Sequence, residues 1–203
     1  MKNIFLFLFL VPLCTYAQDT TKTKQIDTSL QSIVLPELQK DENGRGKMEI
    51  TVELPGSKDQ LFVKAKEWLF TTYNSGKSVL QMEDKEAGVI IGKGNSCQLI
   101  YNNLGIKKDA GYFSYQITIR FKDGKYRCLL DNITYVRGEM VLPDGADIAD
   151  DFPKEWKRLM AKKYNKKQWD SMKEQAINHF KLLFVSLQTA MSETASKKKD
   201  DKW

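Results

Sequence analysis

Histidine occurs once in the 203 residues, at His179, and cysteine only three times. A single histidine excludes multi-histidine zinc sites, and any Ser-His-Asp triad would have to use that residue. His179 sits beside the apolar stripe of a helical stretch, where a partly buried structural imidazole is the expectation. No paired carboxylates fall on facing elements, so nothing in the chain proposes a glycosidase or a protease. No internal repeat is visible. After residue 17 no stretch is long and apolar enough to cross a bilayer, which takes roughly 20 apolar residues. Gly76-Lys77-Ser78 resembles the end of a phosphate-binding loop, but Thr71 stands where the motif needs glycine. The order there is also helix–loop–strand, the reverse of what the motif requires.

What is present begins at the N-terminus. Met1-Lys2-Asn3 is short and basic, Ile4 to Leu13 is almost unbroken in its apolarity, and Thr15-Tyr16-Ala17 offers small residues before polar Gln18. That is the pattern of a cleavable secretory signal over 1–17, and it predicts an exported protein, periplasmic or secreted. Lipoprotein processing at Cys14 competes, but Val11-Pro12-Leu13 lacks the small residues that cleavage wants. The formal net charge of +6 becomes about +5 once Lys2 is removed. Nucleic acid is a poor partner for an exported chain despite that charge.

Residues 18–47 are mostly Thr, Lys, Gln, Ser and Asp around one apolar patch, Ile33-Val34-Leu35, and read as a flexible leader, although the patch could dock on the domain. Residues 193–203 read as a charged tail. Between them, 48–192 reads as one domain. Met48, Ile50, Val52 and Leu54 alternate with polar residues, the pattern of a half-buried strand. Pro55-Gly56 breaks it, and Ser57 with Gln60 forms a capping box opening a helix. Leu61, Phe62, Ala65, Trp68, Leu69 and Tyr73 form its apolar face. Strands are expected at Ser78–Glu83, Glu86–Lys93 and Ser96–Asn102, with Gly94-Asn95 as a hairpin turn, and at Tyr112–Lys122. Hairpin geometry is also the expectation for Gly88 and Gly92. Phe152–Tyr164 reads as a short helix and Trp169–Met191 as a long one.

Asp123-Gly124 is the strongest hairpin signal. A two-residue loop pairs Lys122 with Lys125, Phe121 with Tyr126, Ile119 with Cys128 and Ile117 with Leu130, pairs expected to share the core face. The opposite face then receives Leu129, Ile133 and Tyr135, a candidate partner surface. After signal removal Cys97 and Cys128 remain, and an oxidising compartment suggests a disulfide. A simple meander places them two strands apart, roughly 9–10 Å, beyond the ~7 Å limit for a bridge. Two separate thiols are expected.

Asp144, Asp147, Asp150 and Asp151 crowd one loop, but their spacing misses the alternate-residue pattern of an EF-hand. Acids just before Pro153 instead complement a helix N-terminus. Lys154, Lys157, Arg158, Lys162, Lys163, Lys166 and Lys167 oppose Trp156, Leu159, Met160 and Tyr164 in a basic amphipathic pattern. Such a helix can rest on an anionic surface, here through Lys162, Lys163, Lys166 and Lys167, or can simply be a solvated face over a core. No cofactor or metal is expected.

Leu54-Pro-Gly-Ser-Lys-Asp-Gln-Leu61, Trp68-Leu69, Asp84–Gly92, Tyr112–Ile119 and Asp123–Arg127 resemble a secreted Bacteroidetes domain family of unknown function, family 4468, which has a TATA-box-binding-protein-like (TBP-like) fold. The resemblance covers roughly Met48 to Arg137. It implies an α+β fold of β-α-β4-α type, related to the helix-grip proteins: a curved antiparallel sheet with helices packed on one face. It carries over no catalytic residues, and the fold name does not imply DNA binding. A helix-grip arrangement would permit an apolar ligand cavity lined by Tyr115, Ile117, Ile119, Phe180 and Phe184, although plain core is the simpler expectation for them. The resulting expectation is a non-enzymatic binding module of the bacterial envelope, with protein, lipid or glycan as partner. The alternatives are an enzyme whose site would include His179 or the aspartate loop, and a peripheral membrane-surface protein.

Overall fold

The elements run β1 (Gln39–Lys40), β2 (Gly46–Glu53), α1 (Lys58–Thr72), β3 (Leu80–Asp84), β4 (Val89–Asn95), β5 (Ile100–Asn103), β6 (Ile106–Asp109), β7 (Tyr112–Lys122), β8 (Lys125–Arg137), β9 (Met140–Val141) and α2 (Lys166–Ser192). The computed structural model describes residues 33–73, 79–103, 106–137, 140–141, 145–152 and 166–193. The expected helix at Phe152–Tyr164 therefore falls, after its first residue, outside the described residues. No described helix is long and apolar enough to cross a membrane.

The main sheet is antiparallel, in the order β1-β2-β8-β7-β4-β3, with β9 pairing β8; β5 and β6 form a separate two-stranded ribbon. Asp123-Gly124 sets its centre. Gly124 has φ +75°, a conformation glycine adopts without a Cβ penalty. The register across it is the expected one, including Lys122↔Lys125, Phe121↔Tyr126, Ile119↔Cys128 and Ile117↔Leu130. The turn is also a clasp. The Asp123 carboxylate accepts from the Lys58 N–H at 2.7 Å, so one residue turns the hairpin and caps α1. Ser57 and Gln60 add the capping box.

Both helices lie on one face of the sheet. Along β7, Phe113 meets Trp169 and Tyr115 meets Phe180, with ring centroids 5.6 and 5.1 Å apart, while Phe121 meets Phe62 of α1 at 5.6 Å. The α1 face predicted from the sequence is buried, except that Tyr73 is half-buried. Each large side chain buried here stabilises by ~1.5–3 kcal/mol. Lys64 of α1 donates to the carbonyls of Met191 and Glu193, capping the C-terminus of α2.

Three expectations change. Gly94-Asn95 is not a turn: β4 runs through both, pairing Gly94 with Tyr115 and Asn95 with Ser114. Glycine is needed at 94 because a Cβ there would lie 2.6 Å from the Tyr115 hydroxyl. Residues 96–99 then lead to the β5–β6 ribbon rather than to a sheet strand. Second, β8 carries a bulge. Asn132 has φ +49°, and the register slips between Ser114↔Thr134 and Gln116↔Asp131. The extra residue exchanges the two faces of β8. Third, residues 33–47 pack on the domain where a flexible leader was expected. Gln188 accepts from the Val34 N–H and donates to the Val34 carbonyl, both at 2.8 Å. Glu37 pairs with Lys181 at 2.8 Å, and Pro36 is buried.

Candidate functional site

The sequence-derived candidates disperse. Tyr115, Ile117, Ile119, Phe180 and Phe184 are at most 1% exposed and pack on one another as core. The crevice beside them, lined by Trp68, Ile117, Cys128 and Leu183 among others, has no room for a water molecule. These side chains are thus packed core, the simpler of the two expectations, and fill the space a helix-grip cavity would have used. The Tyr115 and Tyr73 hydroxyls meet at 2.6 Å. Burial, opposed by that bond, pushes Tyr73 up to about 12, and burial also pushes Tyr115 upward, so both stay neutral phenols.

The proposed partner surface splits at the bulge. Leu129 stays on the face away from the helices and is half-buried, but Ile133 (0%) and Tyr135 (1%) turn into the core. Tyr135 packs edge-on against Phe113 and Trp169, and its hydroxyl donates to the Ala110 carbonyl. The three residues do not share a surface. Regular alternation misplaced them because it takes no account of the residue inserted at Asn132.

Two aspartates of the loop, Asp147 and Asp150, are committed to backbone. The Asp147 Oδ1 atom accepts from Gly46 and Ala149 N–H groups at 2.7 and 2.8 Å, and Asp150 accepts from the Asp147 N–H at 3.1 Å. Burial raises the Asp147 pKa and those backbone bonds oppose the rise. Asp144 lies outside the described residues. Among the described residues no three acidic, histidine or cysteine side chains are grouped to hold a metal ion. His179 is half-buried against the Phe180 ring, and burial lowers its pKa. Cys97 and Cys128 are both free, the first exposed and the second buried. Of the basic residues proposed for an anionic surface, Lys162 and Lys163 lie outside the described residues. Lys166 is paired with Asp151 and Asp170, each at 2.8 Å, and Lys167 is exposed.

What the fold does assemble is the open face of the sheet, over which no described helix lies. Pairing sets Met82, Ile91, Thr118, Leu129 and Glu49 in one row across five strands. Met82 is 46% exposed, and Ile91 and Leu129 are half-buried. Toward the hairpin tip, the next rows place Arg120 opposite Arg127 and Lys122 opposite Lys125, all exposed. Glu49 takes Arg127 at 2.6 Å. Among the described residues no ion pair engages Arg120, Lys122 or Lys125. Like charges directly opposite each other weaken a hairpin, so two consecutive such pairs are not placed there by folding stability. Sequence reasoning missed this quartet although the hairpin register implied it: reading the polar partners of each predicted pair, as well as the apolar ones, would have found it.

An antiparallel sheet with two helices on one face defines an α+β domain of TBP-like fold. Residues 49–136 match the model of a domain of unknown function (DUF4468) with TBP-like fold. Two crystal structures are similar. One is a DUF4468 family protein from Bacteroides ovatus, at 16% identity and TM-score 0.58, covering 77% of this chain and 91% of that one. The other is a TBP-like protein from Parabacteroides distasonis, at 16% identity and TM-score 0.55, covering 76% of this chain and 97% of that one. At such identity the likeness concerns the fold. No curated protein matches.

Proposed function

We propose that the chain is an exported, non-enzymatic binding module of the bacterial envelope that engages its partner through the open face of the sheet. The observation that carries this reading is the face itself: an apolar row of Met82, Ile91 and Leu129 beside three exposed cations that have no ion pair among the described residues. An apolar centre with arginine at its margin is the composition of surfaces used for contact. Export rests on the pattern of residues 1–17, and it would carry the chain to the periplasm or beyond the cell.

Site-specific photo-cross-linking in intact cells tests the reading. A benzophenone side chain is placed at Leu129, on the open face, or at Glu174, on the exposed side of α2. Adducts from position 129 and none from 174 support the open face. Equal yields from both, or adducts only from 174, refute it. N-terminal sequencing of the protein recovered from the envelope tests export independently, with Gln18 as the expected first residue.

A further inference from the structure

We propose that the partner of the open face is the phosphate-bearing surface of an anionic lipid bilayer, engaged by Arg120, Lys122 and Lys125 with Arg127 as the fourth corner. The inference rests on the reading of the open face given above and names its occupant.

The geometry is that of a plane. The four residues occupy two consecutive rows of one hairpin, about 5 Å apart across the strands and roughly 7 Å apart along them. All four point away from the helices and are exposed. No described element rises beside them to form the walls of a groove, so nothing here holds an extended peptide or glycan in register. A flat array of anions meets all four side-chain heads at once. Arginine suits phosphate because its fork gives two parallel hydrogen bonds, and lysine adds a point charge. Two flanking acids limit the site. Glu49 already holds Arg127, and Glu53 stands across from Lys125. Among the described residues Arg120, Lys122 and Lys125 are left without an ion pair, and Met82, Ile91 and Leu129 adjoin them as the apolar component of a headgroup contact.

The same chemistry was expected of the 154–167 segment, of which Lys166 is held by two carboxylates, Lys167 is exposed and residues 154–165 lie outside the described residues. Of the four hairpin cations, Arg127 alone has an ion pair among the described residues.

Vesicle flotation tests the assignment. The protein, purified from cells in its processed form, is mixed with phosphatidylglycerol-containing or pure phosphatidylcholine vesicles. Three proteins are compared: wild type, Arg120→Gln/Lys122→Gln/Lys125→Gln, and Lys40→Gln/Arg45→Gln/Lys107→Gln, which removes equal charge at exposed positions elsewhere. Wild type should float with phosphatidylglycerol vesicles only. The hairpin variant should bind on the order of a hundredfold more weakly, while the control variant stays within a few fold of wild type. Binding should also fade in high salt. Equal weakening by both variants, or no flotation of wild type, overturns the proposal. Displacement by millimolar inorganic phosphate would mark a site for a single soluble anion and would overturn it too. Failure to float combined with a protein adduct at position 129 would remove the lipid partner and leave the open-face reading intact.

Discussion

The two faces of this sheet are held to different standards. Toward the helices every position is filled: Phe113, Tyr115, Ile117, Ile119 and Phe121 of β7 are all 3% exposed or less. On the far side the same strand carries Ser114, Gln116, Arg120 and Lys122, half-buried or exposed, with Thr118 the buried exception. One face is fixed by packing, and substitutions there are felt through volume and shape. The other has few packing obligations and can hold residues that folding alone would disfavour. Cations set opposite cations are the clearest case.

Four changes break or sharpen this contrast. The largest effect should follow from inserting one alanine after Asn132. With a second extra residue, Ile133 and Tyr135 exchange faces, and the burial of two large side chains is lost, at about 3–6 kcal/mol. Urea denaturation would measure it, and a loss below about 1 kcal/mol would show that the two faces are interchangeable beyond the bulge. Next is Gly94→Ala, whose new methyl meets the Tyr115 hydroxyl and ring. It should cost roughly 1–3 kcal/mol, the usual range for overpacking. A double-mutant cycle with Tyr115→Leu should recover most of the loss, and additive costs would exclude the ring as its cause.

His179 gives a pH-dependent test at the margin of the packed side. Burial sets its folded pKa below the ordinary 6.5, so the unfolded chain binds more protons as pH falls. The wild-type melting temperature should drop as the solution is acidified below about 6.5, and the difference between wild type and His179→Gln isolates this residue from the carboxylates. A difference that does not change with pH would mean the imidazole is solvated. The smallest effect belongs to the open face. Leu129→Gln should change stability by no more than about 0.5 kcal/mol, as for other surface positions, while reducing partner contact. A core-sized loss would place Leu129 under cover.

Legibility followed the range of the interactions. The β7–β8 pairs were readable because Asp123-Gly124 joins them through two residues, and the Ser57–Gln60 cap because three residues separate its partners. Asn132 was not readable: the residue that bulges looks like any polar residue in a strand, and its αL conformation is decided by what both halves of β8 must bury. Gly94 was read as a turn for want of its reason, the ring of a tyrosine on the neighbouring strand. The open-face quartet lies within the sequence's own register, but charged residues on a solvent face carry no packing periodicity that marks them as a site. Gln188 and Val34 are 154 positions apart, and no local pattern links them.

That last contact also has a mechanical meaning. Tension applied through the chain upstream of Ile33 reaches the domain first at the two bonds between Val34 and the Gln188 amide, then at Glu37–Lys181, and only afterwards at the β1–β2 ladder. The fastenings therefore give way one after another, like a zip, and the sheet stays unloaded until the early ones have opened.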